Sequence, residues 1–413
     1  MSVIRYAGWL LLCAGLGCEA ADLPSDDAVR RILSESPAAQ TSAGLIAAGQ
    51  AQRRKLELGA YEWNLNLEAQ HRRTRPSEFD AGGNTKDWAV GAERAWRLPG
   101  KAALDSELGE SAASQATFSA EQSRREAARA LLADWFEWLR SDARWRQTCD
   151  ERDLLRREAE IVRRRKQLGD AARLDVVQIE AALAQSQSRA TALDAERAAA
   201  AGQLRELYPG LLVPERPELG APVVLEGAQE VWVEALLGNE PALNIARLEA
   251  QRGRLQTRRS ELERQGDPTI GLRYASEQDG GDKLLGVFVK IPLGRAARQA
   301  DADLSAAEAG MAQARAIQLE RQLRAQATAA WRRTQSAFGN WQYSREAAAK
   351  MEETAAMQAR AYELGEAELA TLLNARRLAH AALLDARLSQ LDALESRYRL
   401  MLDSGKLWRF GTE

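Results

Sequence analysis

Two stretches of the chain, which begin 196 residues apart, decide its fold: LGDAARLDVVQ at 168–178 and LGEAELATLLN at 364–374. In each stretch a Leu-Gly pair interrupts a helical run rich in Ala, Arg and Glu, and a new helical run follows. Glycine readily takes the left-handed conformation that ends a helix, so each pair predicts the tip of a helical hairpin. The chain is therefore expected to contain the same hairpin twice.

Other landmarks also recur between the two halves of the chain. Proline and glycine occur together at Pro99-Gly100 and again at Pro292 and Gly294, each time between an alternating segment and a long helical run. The segment between the halves carries four Pro and has no helical period, which is typical of a linker. The sequence therefore predicts two internal structural repeats. The predicted domains are a signal peptide (1–20), a first repeat (25–207), a linker (208–227), a second repeat (228–407) and a C-terminal tail (408–413).

Each repeat is predicted to follow one internal plan. It begins with a helix of about 35 residues, over 25–60 in the first repeat and 228–264 in the second. Two alternating segments follow. A helix of roughly 68 residues then runs from the proline-glycine turn to the tip, and a return helix of about 35 residues completes the repeat.

The alternating segments are predicted to be β-strands with one apolar face. They span 63–69, 88–98, 270–274 and 285–291. The joining loops at 80–84 and 279–282 are polar and Gly-rich, as in hairpins. A soluble hairpin is the alternative, but two hairpins between very long helices have no evident core to cover them. Transmembrane strands with Trp and Tyr near their ends fit the pattern better.

The N-terminal segment has the pattern of a secretory signal. Arg5 and the apolar stretch 7–17 precede small residues at a cleavage site. Acylation of Cys18 is an open alternative, whereas a membrane anchor is disfavoured because about 11 apolar residues cannot span a bilayer. After cleavage only Cys149 remains, which excludes an intrachain disulfide. No later stretch approaches about 20 apolar residues, so the sequence allows membrane insertion only as β-strands.

Composition argues against several classes of function. Lys plus Arg is 57 and Asp plus Glu is 59, so the chain lacks the basic surplus of a nucleic-acid binder. The sequence contains no phosphate-binding loop, HExxH motif or Ser/His/Asp set, which predicts a protein that is not an enzyme and needs no cofactor. No metal site is expected, because His71 and His380 both read as surface or packing residues.

The order of these elements, with both tips and both proline-glycine turns, resembles the TolC family of outer-membrane efflux channels over residues 25–407. The resemblance implies a mainly α fold with a small β part. In it, long α-helical hairpins form a trimeric α-barrel, and four strands per chain enter a shared 12-stranded transmembrane β-barrel. It also implies a homotrimer in the outer membrane, in contact with outer-membrane lipid and with a long periplasmic portion.

The resemblance further implies a passive exit duct in a tripartite efflux system. Its partners would be a periplasmic membrane-fusion adaptor and an inner-membrane pump of the RND type, which supplies the energy. The adaptor would dock on the tips, at Leu168, Gly169, Asp170, Leu364, Gly365 and Glu366. The strand-to-helix turns would be Pro99, Gly100, Pro292 and Gly294.

The family also implies an aperture that is closed by the tips. Tyr362 would bond the Asp175 carboxylate across neighbouring hairpins; the alternatives are an ordinary surface pair, or Asp175 as the N-cap of the returning helix. The remaining aperture candidates are Thr371 and Asn374, at positions that often carry carboxylates in the family. This departure argues against a strong cation-selecting ring.

Within the family, the segment 97–101 and the short chain most resemble the CzcC-like branch, which works with heavy-metal cation pumps. A drug-efflux or type I secretion channel of the same family is an alternative substrate class. A periplasmic coiled-coil adaptor or scaffold without a barrel is an alternative of a different kind.

Overall fold

The computed structural model describes residues 22–75 and 82–408. The predicted signal peptide, Cys18, residues 80 and 81 of the first loop and residues 409–413 of the tail lie outside the described residues. The described helices are α1 (Asp26–Glu35), α2 (Pro37–Leu58), α3 (Lys101–Gln167), α4 (Arg173–Leu207), α5 (Gln229–Asn239), α6 (Pro241–Glu263), α7 (Ala296–Glu363) and α8 (Leu369–Asp403). The described strands are β1 (Trp63–Thr74), β2 (Gly83–Ala95), β3 (Thr269–Glu277) and β4 (Asp282–Lys290).

The chain divides into two compact units, which we name by the features they contain. The tip unit holds both predicted tips, and its described residues fall within Met1–Ser34, Ala128–Ala228 and Ala330–Glu413. The sheet unit holds all four strands and falls within Glu35–Ala127 and Gln229–Ala329.

The helices confirm the prediction of a mainly α fold with long helical segments. α3 has 67 residues and α7 has 68, while α4 and α8 have 35 each. The two long helices begin at Lys101 and Ala296, slightly later than the prolines that were expected to open them. The same order of elements therefore occurs in both halves, and the internal duplication stays a prediction. Among the described residues, no helix has both the length and the apolarity needed to cross a membrane.

The prediction of one continuous helix before each strand pair is wrong. The chain breaks at Ser36, where the Ser36 side chain accepts a hydrogen bond from Ala39 N at 3.3 Å and Pro37 opens α2. A second break occurs at Glu240, and Pro241 opens α6. Proline lacks the N–H that a helix interior requires but is favoured at the first helical position, so each proline starts a new helix.

The four strands form one antiparallel sheet in the order β1-β2-β3-β4, which confirms a four-stranded β part. The two outer strands are β1 and β4. β2 ends at Ala95 and β4 at Lys290, so the residues up to 98 and Ile291, which were predicted to be strand, lie beyond the sheet. In β2 the reason is Pro268, which lies opposite Trp96 in the register. Trp96 N still donates to Pro268 O at 2.7 Å, but proline has no N–H to return the bond, so the ladder ends there.

In both predicted loops the last residues belong to the strand that follows. Gly83 and Asn84 already belong to β2, where they pair with Thr74 and Arg73. The second loop is a 3-10 turn over Gln278–Gly280, and Asp282 already begins β4.

In the tip unit, Asp22 holds the segment 208–228, which contains neither helix nor strand, against the helices. The Asp22 carboxylate accepts hydrogen bonds from Gly220 N–H and from Tyr398 Oη, the latter at 2.8 Å. The Asp22 carbonyl accepts one from Trp135 Nε1 at 2.9 Å. One nearly buried residue therefore ties this segment to α3 and α8.

We predict that Asp22→Ala loosens this segment. The change leaves Gly220 N–H and Tyr398 Oη without their acceptor, and an unmade buried hydrogen bond costs about 1–3 kcal/mol. A Glu-specific protease should cleave faster after the exposed Glu218, as measured by the rate of fragment appearance. Asp26→Ala, at an exposed position in α1, should leave that rate unchanged, and equal rates in all three proteins would contradict the prediction.

Candidate functional site

The first tip is a glycine-terminated helix end in the tip unit. Gly169 has φ 84°, a left-handed value that favours glycine. Asp170 N donates to Arg165 O at 2.8 Å and Gly169 N donates to Lys166 O at 3.1 Å. These two bonds form a Schellman motif, which satisfies carbonyls that the end of α3 would leave unpaired.

The second tip repeats this geometry. Gly365 has φ 78°, Glu366 N donates to Ala361 O at 2.8 Å, and Gly365 N donates to Tyr362 O at 3.1 Å. A Cβ added at either tip glycine would meet open space, so the backbone conformation and not crowding selects glycine. The structure therefore places a helix-ending turn at each predicted tip.

Both tips present apolar side chains to solvent. Leu168 is 77% exposed and Leu364 is 59% exposed. Each leucine lies directly before its tip glycine and is flanked by an exposed acidic residue, Asp170 or Glu366. An exposed leucine on an ordered turn is the kind of group that a partner protein can bury.

The tips carry opposite charge, which sequence reasoning did not notice. Exposed cationic side chains surround the first tip, namely Arg163, Arg164, Lys166 and Arg173. Exposed carboxylates surround the second tip, namely Glu363, Glu366 and Glu368. The signal was present in the sequence as the run RRRK before the first glycine.

A hydrophobic cluster lies beneath the tips and holds the ends of the two hairpins together. Its buried and partly buried side chains together come from all four long helices, and the partly buried ones include Tyr362. Its buried members are Leu155, Ala159, Val162, Ile179, Leu183, Leu369 and Leu372.

Tyr362 contacts Arg165 in this chain. The Arg165 guanidinium lies 5.1 Å from the centre of the Tyr362 ring, and its Nε donates to Asp170 Oδ2 at 2.9 Å. Burial raises the pKa of the Tyr362 hydroxyl, Arg165 opposes the rise and Asp175 adds to it. Among the described residues no hydrogen bond joins Tyr362 to Asp175, so a bond across chains stays a prediction. Arg165 is a residue that sequence reasoning missed.

Asp175 caps the returning helix, but not as its N-cap residue. α4 begins at Arg173, so Ala172 occupies the N-cap position and Asp175 lies three residues further on. The Asp175 carboxylate accepts a hydrogen bond from Ala172 N at 3.2 Å. A carboxylate in the first turn also favours the positive end of the helix dipole.

The other two aperture candidates lie in the first turns of α8. Thr371 is exposed, and its N–H donates to Glu368 O at 3.1 Å. Asn374 Oδ1 accepts a hydrogen bond from the Arg377 guanidinium at 3.1 Å.

The two histidines do not form a metal site. His71 is exposed near the end of β1, and the half-buried His380 has its Nδ1 at 2.8 Å from Gln147 Nε2. Across residues 22–75 and 82–408, no group of three or more His, Cys, Asp or Glu side chains is arranged to hold a metal ion.

In the sheet unit, the first strand-to-helix turn is built around Asp267. The Asp267 carboxylate accepts hydrogen bonds from Tyr61 Oη at 2.7 Å, from Leu98 N at 3.0 Å and from Lys101 Nζ at 2.8 Å. Lys101 is 1% exposed, and its ammonium also donates to Gln265 O. These bonds fix the points at which β1, α3 and β3 begin.

Arg97 lies beside the residues that bond to Asp267, and the pKa values of Tyr61 and Asp267 are both shifted. The Arg97 guanidinium lies 4.4 Å from the centre of the Tyr61 ring and donates to the carbonyls of Glu57 and Leu58 at the end of α2. Burial raises the pKa of Tyr61 to about 12, and the hydrogen bond to Asp267 adds to the rise. Burial alone would raise the pKa of Asp267, but the bonds from Lys101, Leu98 and Tyr61 hold it below its ordinary value.

The predicted turn glycines both have positive φ, 88° at Gly100 and 104° at Gly294. At the second turn, Pro292 packs against the backbone of Gly266, where a Cβ would come within 2.4 Å of the proline ring. Both glycines lie between a strand and a long helix, while the need for glycine at 266 is visible only in three dimensions.

The sheet has one apolar face and one polar face. Cross-strand partners form two adjacent apolar rows on the first face, Leu65-Ala92-Leu272-Val287 and Leu67-Val90-Tyr274-Leu285. The other face carries ion pairs between strands, Arg273–Glu68, Lys290–Glu93 and Arg72–Asp87. The apolar face is open in the single chain, where Leu65 is 67% exposed.

We predict that Gly365→Ala weakens the second tip. An L-residue held in the left-handed region costs about 1–2 kcal/mol, so the amide of Glu366 should exchange its hydrogen about five- to thirtyfold faster. Gly202→Ala is the matched control, because Gly202 lies in α4 with open space for a Cβ and without a positive φ. This control should stabilise α4. The prediction is contradicted if the Glu366 amide is as well protected from hydrogen exchange in Gly365→Ala as in wild type.

The lowered pKa of Asp267 predicts loss of stability of the sheet unit in acid. The ionised carboxylate stabilises the fold above its unfolded pKa of about 3.9, and this contribution is lost as the pH falls through the lower folded value. Asp267→Asn should melt lower than wild type at pH 7, and its melting temperature should fall less below about pH 4. Asp301→Asn, at an exposed position in α7, should behave as wild type; the same acid dependence in Asp267→Asn would refute the assignment.

No protein-family model matches this chain, and no curated protein sequence matches it. Solved structures do. The outer membrane protein VceC from Vibrio cholerae is 14% identical, with a TM-score of 0.74 over 95% of this chain and 100% of VceC. The CmeC outer membrane channel of Campylobacter jejuni is 11% identical, with a TM-score of 0.71 over 100% of this chain and 95% of CmeC.

A further similar structure is the open state of the MtrE outer membrane channel of Neisseria gonorrhoeae. It is 13% identical, with a TM-score of 0.63 over 94% of this chain and 90% of MtrE. At such low identity the comparison speaks for the fold alone, and near-complete coverage of both chains means that the match includes the residues of both units. This chain therefore has the fold of bacterial outer-membrane channel proteins.

Proposed function

We propose that this protein is an outer-membrane channel of the TolC family, the passive exit duct of a tripartite efflux system. The single observation that carries the proposal is the two-faced sheet, apolar on one side and ion-paired on the other. Strands of membrane barrels alternate in this way, with apolar side chains toward lipid and polar side chains toward the lumen. The shared fold with outer-membrane channels supports the same reading.

The open edges of the sheet favour assembly of several chains. β1 and β4 are the outer strands, and each has unpaired backbone groups along one side. Such groups cannot remain unpaired in lipid, so the sheet must close into a barrel. Three copies, with β1 of one beside β4 of the next, give the 12-stranded barrel of a homotrimer.

The helical hairpins complete the duct on the periplasmic side. In the proposed assembly they form the tunnel, and the exposed leucines at the tips contact a periplasmic membrane-fusion adaptor. The first tip is basic and the second acidic, so the adaptor surface should carry acidic and basic patches in the matching order. An inner-membrane pump of the RND type supplies the energy, since the duct itself is passive.

Heavy-metal cations are the proposed cargo, as in the CzcC-like branch. The support is the segment 97–101 at the first strand-to-helix turn and the short chain. Drug efflux and type I secretion are the alternatives within the family. A periplasmic coiled-coil adaptor or scaffold is disfavoured, because it leaves the apolar face of the sheet without a purpose.

A substitution on the apolar face of the sheet tests the proposed channel function. Leu65→Arg places a charge on that face and should cost about 2–4 kcal/mol in the middle of a bilayer. Asn66→Arg is the matched control, since it adds the same side chain one residue along β1, on the polar face. We expect a complex of three 45.5 kDa chains, less any signal peptide, in outer-membrane extracts of wild type and of Asn66→Arg, and a marked loss in Leu65→Arg.

The amount of complex is measured by fractionation, and its mass by light scattering in detergent. A soluble monomer or dimer in the wild type would overturn the channel and favour the coiled-coil alternative. Equal amounts of complex in the two variants would show that the apolar face does not contact lipid.

A further inference from the structure

We infer that a cavity in the tip unit binds a small organic anion, one with a single negative charge and an apolar body. The cavity has a volume of about 360 Å³ and lies among α3, α4 and α8, apart from the tips. This volume falls at the lower end of the range for pockets that hold small molecules. The inference does not depend on the channel function, and direct binding tests it.

The cavity has an apolar wall that suits a hydrocarbon or aryl body. Leu154 and Leu155 contribute to it from α3, Ala182 from α4 and Leu373 from α8. Leu155 also belongs to the hydrophobic cluster beneath the tips, so this wall is continuous with a packed core. Burial of an apolar ligand here would remove hydrocarbon surface from water on both partners.

Among the charged side chains that line the cavity, arginines outnumber carboxylates, while Asp150 and Glu352 act on His380 without lining the cavity. Three arginines line it: Arg189 from α4, and Arg376 and Arg377 from α8. Two carboxylates offset them, because Glu151 lines the cavity and Glu158 pairs with Arg376 at 3.1 Å. A ligand with one negative charge would therefore face the arginines of the lining, and of these Arg189 and Arg377 are exposed.

His380 adds no charge to this count. Burial lowers the pKa of its imidazole, so the ring is neutral near pH 7. Its Nδ1 lies 2.8 Å from the amide nitrogen of Gln147, which donates to it. The ring therefore contributes a flat polar surface, and the excess charge comes from the arginines alone.

An unpartnered hydroxyl points to a ligand. Ser186 on α4 lines the cavity and is 4% exposed, yet its Oγ has no hydrogen-bond partner in the described part of the chain. The Nε of Arg376 and the Oε2 of its ion-pair partner Glu158 are likewise buried without a partner. Arg376 and Glu158 already form an ion pair, so the Ser186 hydroxyl is the group that favours a ligand. Buried polar groups are usually hydrogen-bonded, and a carboxylate or sulfonate oxygen would accept from this hydroxyl.

Binding of sodium octanoate to the purified full-length protein, kept free of excess detergent, tests the inference by isothermal titration calorimetry. We expect saturable binding to wild type, and a loss of affinity of about tenfold or more when Arg189→Gln and Arg377→Gln are combined. The matched control combines Arg205→Gln and Arg399→Gln, which remove the same charges from exposed positions on the same two helices. This control should bind as wild type does.

Ser186→Ala separates binding from folding. Because the hydroxyl has no partner in the protein, its removal should leave the melting temperature unchanged but weaken octanoate binding about threefold. Octylamine, with the opposite charge on the same chain, should not bind saturably. The inference is overturned if octanoate fails to saturate at millimolar concentration, if octylamine binds equally well, or if the Arg189 and Arg377 changes act no more strongly than their control.

Discussion

The arrangement of the sheet unit depends on the hydrogen bonds that the Asp267 carboxylate accepts. This carboxylate joins Tyr61 ahead of β1, the backbone of Leu98 after β2 and the ammonium of Lys101 at the start of α3. Lys101 is almost fully buried, and Asp267 and Glu263 together offset the cost of burying its charge. These anchored ends also help to fix the register of the four strands. The register matters because a slip of one residue would exchange the two faces of the sheet.

The two faces determine what the sheet can do. An apolar surface on one side and ion pairs on the other leave no packed protein core on the apolar side. The open edges at β1 and β4 add a second requirement, since unpaired backbone groups need a partner strand. In the proposed assembly, lipid on one face and further copies at the edges would satisfy both requirements together. The tips are a separate feature of the structure. At each tip a Schellman turn holds an exposed leucine in an ordered position.

Features that depend on neighbours in sequence were predicted well. The glycines at 169 and 365 take the expected left-handed conformation, because helix termination is decided within a few residues. The alternating segments are strands, although two of them end earlier than predicted, β2 at Ala95 and β4 at Lys290. The breaks before Pro37 and Pro241 were missed, since the composition on both sides of each proline is helical and a proline in the first turn interrupts the helical pattern very little.

The sequence by itself determined the element types, the two tips, the proline-glycine turns and the alternation that gives the sheet its two faces. These features follow from local backbone preference and from side-chain period, which a single chain carries in its residue order. Only the tertiary structure decided the partners of Asp267, since Tyr61 is 206 residues away and Lys101 is 166. It also decided the contact of Arg165 with Tyr362 and the cavity beside Ser186. Such contacts join residues that are distant in sequence, and no local pattern marks them because they arise from the packing of whole helices and strands.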